Sequence, residues 1–182
     1  MKFNITAAII ALLFLVGCGS AYTYHVDPTP LKKGETKYSV GDVEVKLTLG
    51  HGGKEGDERF ASETQLADNF KTALGKQLQE QGLFASNGNG AKLDLKIDYH
   101  RTFFWGGNSL HKPEVSYQAT VRNDQEKLAS FEEAGFTTTY GTFQDMAVNV
   151  EISSGNWGAE DELKDVDNIA SYIVTMLVDL GK

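Results

Sequence analysis

Four stretches with a period of two and two stretches with a helical period constrain this chain most, because together they prescribe a sheet with helices laid on it. Val43, Val45, Leu47 and Leu49 alternate with Glu44, Lys46 and Thr48, the pattern of a strand with one buried face. Ser62-Glu63-Thr64-Gln65 has the spacing of a capping box, and Phe60, Leu66, Phe70, Leu74 and Leu78 then recur at helical intervals up to Gly82. After the turn residues Asn87-Gly88-Asn89-Gly90, the series Leu93, Leu95, Ile97, Tyr99 predicts a second strand and Val115, Tyr117, Ala119, Val121 a third. A fourth is expected around Leu128 to Thr139, whereas Met146 to Ile152 reads equally as a short strand or a helical turn. Leu163, Val166, Ile169, Ala170, Ile173, Val174, Leu177 and Leu180 form a closing helix ended by Gly181. The order strand, helix, three strands, helix predicts an α+β fold. Its sheet is antiparallel or mixed, of about four to five strands, with one strand delivered by a helical crossover and two long helices packed on one face.

The amino terminus carries an address rather than a fold. Lys2 precedes an apolar run from Ile5 to Val16 that is shorter than the roughly 20 residues a transmembrane helix needs, and Leu15-Val16-Gly17-Cys18 ends it at the only cysteine of the chain. This resembles a bacterial lipoprotein signal. The resemblance implies that residues 1–17 are removed, that Cys18 is acylated on its thiol and amino group, and that the acyl chains anchor the protein to a membrane without crossing it. Gly19, where inner-membrane lipoproteins of many Gram-negative bacteria carry aspartate, implies the outer membrane, with the domain facing the periplasm. Residues 18–35 include Pro28 and Pro30 and show no period; they are expected to be the lipidated cysteine and a flexible tether, leaving 36–182 as one periplasmic domain. Tyr22 and Tyr24 either rest at headgroup level or pack on that domain.

Loss of residues 1–17 removes Lys2 from the 17 basic residues and no acid, leaving 16 against 25 acidic side chains, a net charge of −9. Scattered cations outnumbered by carboxylates argue against a nucleic-acid partner, whose phosphates reward clustered Lys and Arg. Chemistry is equally sparse. The histidines at 25, 51, 100 and 111 lack metal-ligand spacing, and no serine stands in a G-x-S-x-G setting. Gly50-His51-Gly52-Gly53-Lys54 departs from the phosphate-loop spacing and is followed by Glu55, Asp57 and Glu58. Glu160-Asp161-Glu162 suits the positive end of the following helix better than a cation. Neither an enzyme nor a cofactor is expected.

The element order and the phrase FKTALGKQLQEQGLF from Phe70 to Phe84 resemble small Gram-negative lipoproteins whose domain is like the amino-terminal domain of TolB, including CsgG-like and transport-auxiliary lipoproteins. That resemblance implies an accessory or oligomerising part of an envelope machine, with no catalytic residues to carry over. The expected partner is an envelope protein complex, with a homo-oligomer as a further option. Strand alternation breaks at Phe103-Phe104-Trp105, since three successive aromatics cannot all enter a one-sided core. These three and Trp157 are the candidate partner-binding residues. An equal alternative has Phe103 and Trp105 continuing the buried phase after Tyr99 while Phe104 covers a neighbouring helix. The alternative function is a binding module for a lipid or other apolar small molecule, in a cleft lined by Phe103, Phe104 and Trp105.

Overall fold

The computed structural model describes residues 21–86, 89–104, 107–124 and 126–182; the signal segment, Cys18 and Trp105 lie outside the described residues. Strands β1 (Thr23–Tyr24), β2 (Tyr38–Leu49), β3 (Ala91–Arg101), β4 (Phe103–Phe104), β5 (Ser109–Leu110), β6 (Glu114–Arg122) and β7 (Lys127–Thr137) combine with helices α1 (Glu63–Glu80), α2 (Thr142–Ser153) and α3 (Glu162–Asp179). The fold is α+β, as the periodicities predict. A five-stranded sheet runs β1-β7-β6-β3-β2, with β4 and β5 forming a separate hairpin. Its β2–β3 pair is parallel, the product of the α1 crossover, and the other pairs are antiparallel.

Period two sends one face of the sheet inward. Leu95 pairs with Ala119 and Ala119 with Phe131, a row beneath α1 and α3, which contribute Phe70, Leu74, Leu78, Ile169, Ile173 and Leu177 to one core. The opposite face carries charge instead. Glu44, Lys96, Gln118 and Glu132 lie in one row across four strands, with Lys96 Nζ 3.6 Å from Glu44. Polar side chains there stay in water, so helices cover one side alone.

Local chemistry sets the boundaries of α1. Ser62 accepts from the Gln65 N–H while the Gln65 side chain accepts from the Ser62 N–H, a complete capping box. Phe60, which shares the helical spacing, precedes the cap and packs on Phe103 instead, with ring centroids 5.0 Å apart. Glu63 reaches back to the sheet edge, where its carboxylate accepts the Leu47 N–H at 2.8 Å.

The expected tether reads differently in the structure. From Tyr22 onward the segment is packed on the domain: Thr23 and Tyr24 pair with Ser130 and Ala129 of β7, Tyr22 donates to the Met176 carbonyl at 2.9 Å, and Tyr24 donates to that of Gly181 at 3.2 Å. Leu31 is buried in the main core. Proline spacing concealed this, because a two-residue edge strand leaves almost no periodic trace. Residues 146–152, open between two readings, belong to α2.

The Tyr117 hydroxyl is buried with no hydrogen-bond partner among the described residues. An unsatisfied buried hydroxyl costs about 1–3 kcal/mol, so Tyr117→Phe is expected to raise the urea midpoint. Ser62→Ala, which removes the cap of α1, should lower stability by about 1 kcal/mol in the same assay.

Candidate functional site

The inward phase of β3 runs Leu93, Leu95, Ile97, Tyr99 and then Arg101, so alternation carries a guanidinium into the interior at the strand's end. Glu162, in the first turn of α3, answers it: Arg101 Nε lies 2.7 Å from Oε1 and an Nη 3.0 Å from Oε2, and the same Nη donates to the Ala61 carbonyl at 2.7 Å. Both side chains are almost wholly buried. One turn on, the buried Asp165 carboxylate accepts from Thr138 and Tyr140 hydroxyls, each at 2.6 Å, and from the Trp157 indole N–H at 3.2 Å. Burial pushes both carboxyls up, against the opposing pull of Arg101 on Glu162 and of the three donors on Asp165. These acids sit at the positive end of the helix, as the acidic run before it suggested, yet their partners make them the joint of the molecule.

Around that joint a second apolar cluster forms from Phe60, Phe103, Leu110, Val148, Ile152 and Trp157. The Trp157 carbonyl accepts from the Leu110 N–H at 2.8 Å and the Ser109 hydroxyl at 3.0 Å, which fastens the 154–161 loop to the β4–β5 hairpin. Gly107, at φ 98°, allows the hairpin turn to approach the 50–53 loop, where a Cβ would meet the Gly52 carbonyl at 2.6 Å. The two aromatic segments singled out in the sequence therefore do meet at one end of the sheet.

Two of the four candidate side chains, Phe103 and Trp157, face inward rather than toward a partner. Trp157 is 1% exposed and Phe103 is buried, so neither presents a contact surface; their indole and phenyl rings complete the second core. Phe104, at 36% exposure, remains at the surface beside His111. The sequence placed Glu162 at the positive end of the helix but did not pair it with Arg101 or single out Asp165, although an arginine on the apolar phase of a strand was the available signal.

What the surface does present is α2. Val148 and Ile152 anchor its inner face, while Phe143, Met146 and Val150 on the outer face are 90%, 64% and 60% exposed. Spaced three and four residues apart, they form a one-sided stripe over two turns. Between α2 and α3 runs a groove of about 570 Å³, with Tyr140, Val148 and Trp157 along it and Glu151, Lys164 and Asn168 on its walls. A salt bridge holds α2 in place: Lys112 Nζ lies 2.6 Å from Asp145 Oδ1, which also accepts the Tyr140 N–H at 3.1 Å. Lys112 and that N–H hold the Asp145 carboxyl below its usual range. Among the described residues no three His, Cys, Asp or Glu side chains are placed to hold a metal ion.

Breaking the buried pair at Arg101 leaves an uncompensated carboxylate, so Arg101→Met should cost about 3–5 kcal/mol in urea unfolding. Arg101→Met with Glu162→Met should recover most of that loss. Because the folded pKa of Asp145 is depressed, its contribution is present above the unfolded pKa of about 3.9 and is lost as pH falls through the folded value. With intrinsic exchange at each pH divided out, hydrogen exchange in 142–153 should therefore stay slow down to about pH 4 and accelerate below it. Lys112→Met should produce the acceleration at neutral pH with the main core still protected.

No family model and no curated protein matches the chain. A crystal structure of an uncharacterized protein is similar to 76% of this chain and 99% of its own, at 17% identity and a TM-score of 0.26, a likeness that carries no argument about fold or function.

Proposed function

We propose that this chain is a lipid-anchored accessory or assembly subunit of a cell-envelope complex, acting without catalysis at the periplasmic side of the outer membrane. The observation that carries this reading is Leu15-Val16-Gly17-Cys18, an apolar run ended by the sole cysteine. Its mechanism is positional. Tyr22 is bonded to the Met176 carbonyl near the carboxyl end of α3, and four residue steps from Cys18 span at most about 14 Å. An acyl chain on Cys18 would thus hold the domain close to the leaflet, with the α3 carboxyl end toward it. Among the described residues no helix is long and apolar enough to cross a membrane.

The alternative of a carrier for an apolar small molecule has less support. Phe103 and Phe104 do not line the groove, and Gln144, Glu151, Lys164 and Asn168 do; apolar ligands favour pockets with few polar groups.

Mass spectrometry of the mature amino-terminal peptide from a Gram-negative host tests the anchor. The expected result is an acylated Cys18 as residue one, lost in Cys18→Ser. An unmodified thiol, or a new terminus elsewhere, would overturn the proposal.

A further inference from the structure

The outer face of α2 gathers three of the exposed large apolar side chains of the described residues, and three observations define what can cover it. Its first property is shape. Phe143, Met146 and Val150 project from a helix whose inner face is already buried, so the stripe contributes nothing to the fold and offers anchors at helical spacing. Ala147, between them and the groove, joins the stripe to the groove walls.

The second property is charge. Glu151 borders the groove and Glu160 lies near Lys164, two carboxylates in addition to Asp167, which is paired with Lys76. The nearby cations are engaged: Lys164 lies 2.6 Å from Asp161, Lys112 lies 2.6 Å from Asp145, and Lys76 lies 3.1 Å from Asp167. Two copies meeting here would bring like-charged rims together in a chain of net charge −8, whereas a cationic partner is drawn in.

The third property is position. The chain enters the domain beside Met176, but α2 is fastened beside Asp165 through Tyr140 and Trp157. Eleven residue steps of α3 separate them, roughly 16 Å along the helix axis. On the anchoring reading, α2 is fastened at the end of α3 remote from the leaflet that holds Cys18.

We propose that the outer face of α2 and its adjoining groove dock a cationic amphipathic helix of a partner protein, at the end of the domain remote from the lipid anchor. The orientation rests on the anchoring reading; the docking chemistry does not.

The test uses the full lipidated chain in phosphatidylethanolamine–phosphatidylglycerol vesicles, carrying Val150→Cys labelled with an environment-sensitive dye. Acylation blocks Cys18, so the dye reports from α2 alone. A short leucine–lysine amphipathic peptide should shift its emission to the blue. Binding should weaken at least tenfold when Phe143→Ser and Met146→Ser are added, and also when glutamate replaces lysine in the peptide. The three residues changed in the protein lie on the exposed face of α2 and can change without unfolding the domain. A blue shift in vesicles before peptide is added would assign the face to lipid. A shift on adding unlabelled chain would assign it to a second copy, and equal response to both peptides or indifference to the serine changes would remove it as a docking site. Each of these outcomes overturns the proposal. The acyl mass on Cys18 decides the anchoring reading separately, and the peptide titration repeated without vesicles on a Cys18→Ser, Val150→Cys chain decides docking whatever that mass shows.

Discussion

The forked contact between Arg101 and Glu162 ties the end of β3 to the first turn of α3, and the second half of the molecule is organised about it. A guanidinium taken from water must recover its lost hydration from fixed partners. Here the Glu162 carboxylate and the Ala61 carbonyl supply them, and the Phe60 ring lies 5.7 Å from the guanidinium carbon. With α3 held at that angle, Asp165 comes within reach of Thr138, Tyr140 and Trp157, which arrive from the end of β7 and from the loop after α2. A polar joint thereby does what additional apolar area does in the main core: it gives several connecting segments one arrangement.

Much of this architecture was legible in the chain because strand and helix periods translate directly into faces. The series through Leu93–Tyr99 and Val115–Val121 predicts the central antiparallel pair, and Ser62 with Gln65 predicts where α1 begins. The reading fell short where local pattern and tertiary need diverge. Phe103 and Trp157 read as surplus aromatics because the second core they fill is built from segments distant in sequence, Phe60 and Val148 among them. The helix α2 carries apolar residues on two faces, so its period is blurred and a strand was an equal expectation. The stripe that resulted is a feature of exposure, which no single-sequence pattern reports.

The two sides of the sheet solve different problems. Beneath α1 and α3 the residues are packed and apolar, whereas the other face sets Glu44 against Lys96 and Lys46 against Asp98 in water. Exposed pairs of this kind contribute little to stability. They keep the uncovered face of the sheet hydrated, so that no second layer is needed over it.

The contact from Glu63 to the Leu47 N–H, at the outer strand of the sheet, has a bearing on how copies of this domain meet. β2 is a twelve-residue rim strand, long enough to recruit another chain's backbone and begin a fibril. The carboxylate occupies a donor that such a chain would need, and freeing it would cost α1 an acidic group from its positive end. Copies of this domain brought close together are thus guarded against zipping along this rim by a side chain borrowed from the following helix.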